Sequence, residues 1–233
     1  MIMTQGTFIS ILCSVILFTT NAHSFEPITL GIPHFKPYTY TEGRQPKGIA
    51  VTKIQNIFER IPVTLNIKNY LNYSLLLKAL KRGEVDGFFL ATKNSERSRH
   101  AIFSKPIEYN NWAWFTLHNS LNTPNNDDFK YRSIIGTIGK TNTFRWLSRN
   151  GYQVQSFKAA ELLTALRDKK IHAAFLAEKV FEYTYTQAGM SSLEFKKNIE
   201  MKRAFGIYIS KQYIRDNDDF MSMLNAAIPD LNN

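Results

Sequence analysis

Cysteine is almost missing from this chain. The only one in 233 residues is Cys13, inside an apolar run near the start. If that run is removed, the mature chain has no thiol. That excludes disulfides, thiol catalysis and cysteine metal sites together. Acidic residues are also scarce, with 19 Asp and Glu against 29 Lys and Arg and a net charge of +10. The excess is scattered; its nearest approach to a cluster is Lys196, Lys197, Lys202 and Arg203. No helix-turn-helix, zinc-finger or RNA-binding signature accompanies it, so the reading is no nucleic-acid partner and either a preference for small anionic ligands or simple surface solvation. No metal-ligand spacing and no nucleophile–base motif stands out either, and no cofactor is expected.

The run FISILCSVILF, Phe8 to Phe18, is too short to span a bilayer comfortably. Ala22-His23-Ser24 follows, with small residues where a signal peptidase needs them. Residues 1–24 therefore read as a signal peptide, with a periplasmic mature protein starting at Phe25. An uncleaved anchor is the alternative, because MIMTQGT carries no Lys or Arg.

The rest is rich enough in apolar (44%) and aromatic (13%) residues for a sizeable core. Its central stretch is LLKALKRGEVDGFFLATKNSER, Leu76 to Arg97. Leu76, Leu77 and Leu80 share a helical face. Gly83 suits a helix stop, and Val85 to Ala91 suits a buried parallel strand. A polar loop through Thr92 and Ser95 to Arg97 then leaves the strand's carboxyl end, where open α/β sheets bind ligands. Leu162 to Ala177, LLTALRDKKIHAAFLA, repeats the unit 86 residues on, matching at seven of sixteen positions. Two such units predict two similar α/β lobes.

Elsewhere, strands are expected at 28–32, 63–67, 112–117, 133–138, 152–157 and 205–209. Helices are expected at 50–60, 143–149, 180–188 and 218–228. Pro33 to Gly48 reads as a loop, Phe103 to Pro106 as a chain break, and His118 to Asp128 as a surface loop. Strands alternating with helices point to a parallel or mixed sheet.

Several short stretches then occur in a familiar order. They are Phe35-Lys36-Pro37-Tyr38, Gly48-Ile49-Ala50, Ala79 to Asp86, and Glu96-Arg97 with Phe103 to Pro106. Ile135-Gly136-Thr137, Lys140-Thr141, the second unit and Phe205 to Ile209 complete the order. In this order the chain resembles the family 3 extracellular solute-binding proteins, the periplasmic amino-acid-binding components of ABC transporters. The resemblance implies an α/β, two-lobed periplasmic binding protein fold of type II, with a ligand cleft between lobes joined by two hinge strands. Lobe 1 would be residues 25–112 with a return at 205–233, and lobe 2 residues 113–204. The strands would cross near Tyr109 to Phe115 and Arg203 to Ile207.

The same resemblance implies the ligand contacts. Arg97 would grip a carboxylate, which suits a planar guanidinium with two parallel donors. Thr92 would support the same group, although the segment from Asp86 to Arg97 is one residue shorter than usual. Phe35 would stack on the ligand, and Tyr73 would form part of the wall. Thr141 and Asn142 would offer backbone N–H groups from lobe 2, with Lys140 where the family often has glycine. The family's ammonium-binding Asp is replaced by Ala177; Glu178, next to it, could take the role only if the backbone turns it inward. His172 replaces an Asp in the turn before the strand and reads as structural. The sequence stops at Asn233, where the family usually adds a last helix that bears on docking to a permease.

The expected function is capture of a small carboxylate-bearing solute, amino-acid-like or an organic acid, by a monomeric protein serving an ABC transporter permease. The alternatives are a sensory or orphan binding protein acting on a membrane receptor, and an enzyme on the same fold, as in the cyclohexadienyl dehydratases.

Overall fold

A computed structural model describes residues 25–139 and 141–231. The signal-peptide reading, Cys13 and Lys140 lie outside the described residues. The chain begins with β1 (Ile28–Pro33), the hairpin of β2 (Tyr40–Glu42) and β3 (Gln45–Lys47), α1 (Ile49–Phe58) and β4 (Leu65–Tyr70). Next come α2 (Tyr73–Lys81), β5 (Gly87–Thr92), α3 (Ser95–His100), β6 (Ala101–Phe103) and the long β7 (Glu108–Leu117). Then follow α4 (Phe129–Arg132), β8 (Ile134–Ile138), α5 (Asn142–Arg149), β9 (Gln153–Phe157), α6 (Ala159–Arg167), β10 (Ala173–Ala177) and α7 (Glu178–Gln187). The last described elements are β11 (Phe195–Ser210), α8 (Lys211–Asp216) and α9 (Phe220–Ala227).

The repeated unit is real in three dimensions, as α2–β5 and α6–β10. Leu76 and Leu162, Ala79 and Ala165, Leu80 and Leu166, and Phe89 and Phe175 are all buried at matching positions. Gly83 ends α2 with φ of +69°, and its counterpart Lys169 has φ of +58°. A non-glycine residue held there costs about 1–2 kcal/mol. The turn into each strand is closed the same way by different chemistry. Asp86 Oδ2 accepts from the Thr29 N–H at 2.8 Å, and His172 Nδ1 accepts from the Ile134 N–H at 2.9 Å. His172 is thus structural, tying β10 to the start of β8.

Apart from the β2–β3 hairpin, the strands form one continuous mixed sheet in the order β4-β1-β5-β11-β7-β10-β8-β9, with β6 also on β11. β4, β1 and β5 are parallel to one another, as are β10, β8 and β9. Between these halves run β7 and β11, paired antiparallel from Phe195↔Leu117 to Phe205↔Glu108. β11 then leaves β7 and pairs with β5 and β6. The two long strands therefore carry the chain between halves, as the two-lobed reading expects.

The differences from the sequence reading have local causes. The polar stretch after β5 is not a loop but contains α3, whose first turn is capped by Asn94 Oδ1 accepting from the Arg97 N–H at 2.9 Å. With six residues and none buried, α3 has no apolar face for periodicity to register. The Pro33–Gly48 segment folds a hairpin around Gly43, at φ +59°, with strands too short to alternate. β11 begins at Phe195, ten residues before the strand expected at 205–209, because its polar half is held by ladder bonds to β7 and not by burial. The sequence reading does not expect β6, α4 or α8.

A large core cluster joins β1, α1, β5 and α9 in one half to α6, β10 and α7 in the other. A separate aromatic cluster fills the second half. Trp114 lies 4.3 Å from Phe175, 5.3 Å from Tyr152 and 5.4 Å from Phe129, centroid to centroid.

Candidate functional site

The carboxyl ends of β1, β5 and β10 and the amino ends of α2 and α5 surround a cavity of about 530 Å³, with residues of β7 as part of its wall. Open α/β sheets bind ligands in the crevice outside the carboxyl ends of their strands. From the first half, Phe35, Tyr73, Thr92 and Arg97 line it; from the second, Thr141 and Asn142 do. Six of the eight residues expected to meet a ligand are thus brought to one cavity.

Arg97 is held on three sides. Its guanidinium lies 4.9 Å from the Tyr73 ring centroid and 5.9 Å from that of Phe88, and Nη1 donates to the Thr92 carbonyl at 2.8 Å. Stacking of this kind fixes the plane of the fork and leaves its other donors for an anion. The contact from Thr92 runs through its backbone carbonyl. Tyr73 is itself fixed by donating its hydroxyl to the Leu90 carbonyl. Burial pushes that phenol well above its ordinary range, with Arg97 opposing, so it stays a neutral donor.

Leu90, which accepts this bond, has an unusual backbone. It is the extra residue of a β-bulge, between the pairs Gly206↔Ala91 and Ile207↔Phe89, at φ of +62°. A buried leucine in the left-handed region stores strain, and such strain concentrates at ligand sites.

Across the cavity, α5 points its amino end inward. Thr141 caps it, accepting from the Phe144 N–H at 3.2 Å while its own hydroxyl donates to the Ile138 carbonyl at 2.6 Å. The N–H groups of the first turn make a favourable seat for negative charge. Arg145, one turn in, also lines the cavity, with Nη2 donating to Asn142 Oδ1. The sequence reading did not pick it out. Its signal was faint: an arginine three residues after Asn142 on an exposed face.

Glu178 corrects the sequence reading. It is buried but does not line the cavity. Its carboxylate accepts from Asn111 Nδ2 at 2.7 Å and pairs with Lys197, so it ties the start of α7 to both long strands. Burial pushes its pKa up, but the hydrogen bonds from Lys197 and Asn111 outweigh this and hold the carboxyl below its usual value. A lowered folded-state pKa gives stability that is full above the unfolded value and lost as pH falls through the folded one. Glu178→Gln should therefore cost about 1–3 kcal/mol at pH 7. Its gap from wild type should narrow below about pH 4.3, the ordinary glutamate value. Ligand affinity should not change. Thermal melts across pH and a binding titration check both parts; a large affinity loss with unchanged stability would return Glu178 to the site.

The sequence reading also missed residues of β7 in the wall. Asn110 and Trp112, two apart on β7, both reach the cavity, while Asn111 between them turns to Glu178. That is the alternation of a strand, in a β7 that begins at Glu108, four residues before the strand expected at 112–117. Among the described lining residues the one carboxylate is Glu96, more than half exposed and 3.8 Å from Lys81 Nζ.

Comparison with known proteins adds three findings. The family model for bacterial extracellular solute-binding proteins, family 3, matches residues 28–233. No curated protein sequence matches the chain. Among solved structures, the second substrate-binding domain of a putative amino acid ABC transporter from Streptococcus pneumoniae is similar at TM-score 0.67 and 19% identity, covering 87% of this chain and 91% of that one. The GluR0 ligand-binding core from Nostoc punctiforme, in complex with L-glutamate, is similar at TM-score 0.65 and 17% identity, with the same coverage of 87% and 91%. A histidine kinase sensor domain with similarity to periplasmic binding proteins reaches TM-score 0.64 at 16% identity, covering 88% of each chain.

Proposed function

We propose that this chain, which belongs to the bacterial extracellular solute-binding proteins of family 3, captures a small carboxylate-bearing solute other than a standard α-amino acid. The observation that carries this is the charge of the cavity. Arg97 presents a fixed guanidinium from one wall, Arg145 lines the other, and Ala177 stands at the end of β10, while the carboxylate next to it in the chain, Glu178, is engaged by Asn111 and Lys197 outside the cavity. An ammonium entering a closed cleft loses water and needs an opposite charge to replace it. A carboxylate finds that replacement here; the carboxylate that an amine could meet among the described lining residues, Glu96, is more than half exposed and lies 3.8 Å from Lys81 Nζ. Phe35, Tyr73 and Trp112 offer an aromatic surface for the rest of the ligand.

Residues 25–112 with 205–233 serve as lobe 1 and residues 113–204 as lobe 2, closing on the ligand by bending the two long strands. The protein works as a periplasmic monomer without chemical turnover. It hands its solute to an ABC transporter permease, a role supported by family membership and by the transporter-domain likeness. Among the described residues no helix is long and apolar enough to cross a membrane. Calorimetric titration with the twenty amino acids and with matched carboxylates lacking the amine tests the reading. Micromolar binding of the carboxylates is expected; tight binding of an ordinary amino acid overturns it.

A further inference from the structure

Two guanidiniums from opposite halves of the molecule border one cavity. Arg97 comes from the first half, fixed by the Tyr73 ring and the Thr92 carbonyl. Arg145 comes from the second. Helical side chains lean towards the amino end of their helix, and its Nη2 donates back to Asn142 Oδ1, so the two residues line the cavity together. Arg145 also stands in the first turn of α5, which carries no acidic residue and where the helix dipole disfavours a cation. Among the described lining residues the exposed Glu96 is the one carboxylate. Like charges repel more strongly as they approach and as water leaves the space between them. A cleft that closes on a ligand with one negative charge therefore keeps one cation unmatched. A ligand with an anion at each end matches both.

We propose that Arg145 determines specificity and that the cleft takes small dicarboxylates, with one acidic group on Arg97 and the other on Arg145. The inference rests on the carboxylate reading of the cavity given above and adds a second anionic group to it. A guanidinium suits a carboxylate at either end, because its parallel donors fit the two oxygens. An uncharged amide in place of the second carboxylate keeps a hydrogen bond but leaves the charge of Arg145 unmatched. The expected preference is therefore one of charge and not only of length.

Succinate, glutarate and adipate, titrated calorimetrically into the mature protein beside the monoamide of each, separate charge from shape. The best-fitting diacid should bind at least about tenfold tighter than its own monoamide, in the range that one added charged hydrogen bond supplies. In Arg145→Gln that ratio should fall to about threefold or less. Arg145 is exposed and glutamine is a good helix former, so the variant should fold. The wild-type ratio decides the matter even if it does not. A wild-type ratio near one, a ratio unchanged in Arg145→Gln, or no binding of any of the three diacids overturns the proposal. Glutamate, which adds an ammonium to glutarate, distinguishes this inference from the reading beneath it. If glutamate binds tighter than glutarate while glutarate keeps its lead over the monoamide, the exclusion of amino acids falls and the dicarboxylate inference stands. If monocarboxylates bind at micromolar concentration with no preference for a diacid, the dicarboxylate inference falls alone.

Discussion

Replacing Arg97 with alanine should weaken carboxylate binding by roughly 2–5 kcal/mol, the usual cost of removing one partner from a desolvated charged pair. At 1.4 kcal/mol per factor of ten, that is about thirty-fold to several thousand-fold in Kd. Folding is affected too, because Arg97 sits inside α3 and not on the loop its sequence suggests. The variant loses the hydrogen bond to the Thr92 carbonyl and the stack on Tyr73, together worth about 1–2 kcal/mol. The cap on α3 survives, since Asn94 bonds the backbone N–H of residue 97. Arg97→Lys separates charge from geometry: a lysine restores the positive charge but not the flat two-pronged donor, and should recover only part of the affinity. Calorimetry with the carboxylate probes and a thermal melt read the two losses independently. Equal affinity in wild type and Arg97→Ala would remove Arg97 from the site.

Phe175→Ala should be the most destabilising of the substitutions considered. Phe175 is fully buried, and its ring centroid lies 4.3 Å from Trp114, 5.1 Å from Trp146 and 6.2 Å from Trp112. These are the three tryptophans of the chain. Emptying a site walled by large rigid rings leaves a cavity that cannot collapse, and Phe→Ala in such places costs about 3–5 kcal/mol. For a chain of this size the melting temperature should fall by roughly 6–20 °C. Tryptophan emission should shift to the red as water reaches the rings. Phe175→Leu keeps most of the volume and should cost under about 1.5 kcal/mol. A loss below about 1 kcal/mol in the alanine variant would show that the cluster relaxes around the gap.

Alternation of apolar strands with amphipathic helices was readable because buried parallel strands such as β5 and β10 are short apolar runs between turn residues. The repeat was readable because both copies bury the same positions. Most of the cleft followed, since strand ends position Phe35, Thr92 and Thr141 whatever the side chains. What escaped was information carried by pairing partners. Asn110 is an asparagine like any other until β7 is known to pass beneath a cavity. Glu178 stands at a strand-to-helix junction, where one residue of phase decides between the cleft and the crossing strands. Arg145 lies on an exposed helical face, and exposure in a cleft is indistinguishable in sequence from exposure to bulk water. α3 was lost because six polar residues give no period, although Asn94 before it is a standard cap.

β11 also dictates an order of events in folding. Its last residues complete the ladder of β5, where Thr92 must wait for Phe205. A chain released from its amino end therefore cannot finish the half of the sheet it began first. β8, β9 and β10, with α5, α6 and α7, are contiguous in sequence and can assemble among themselves while β5 is still an open edge. Closure of such a distant pair carries a large loop-closure entropy and makes the last step slow. Until it happens, a strand as apolar as Gly87–Thr92 offers unpaired backbone to any neighbouring chain. Truncations that stop short of Phe205 should consequently give aggregates rather than a smaller stable protein.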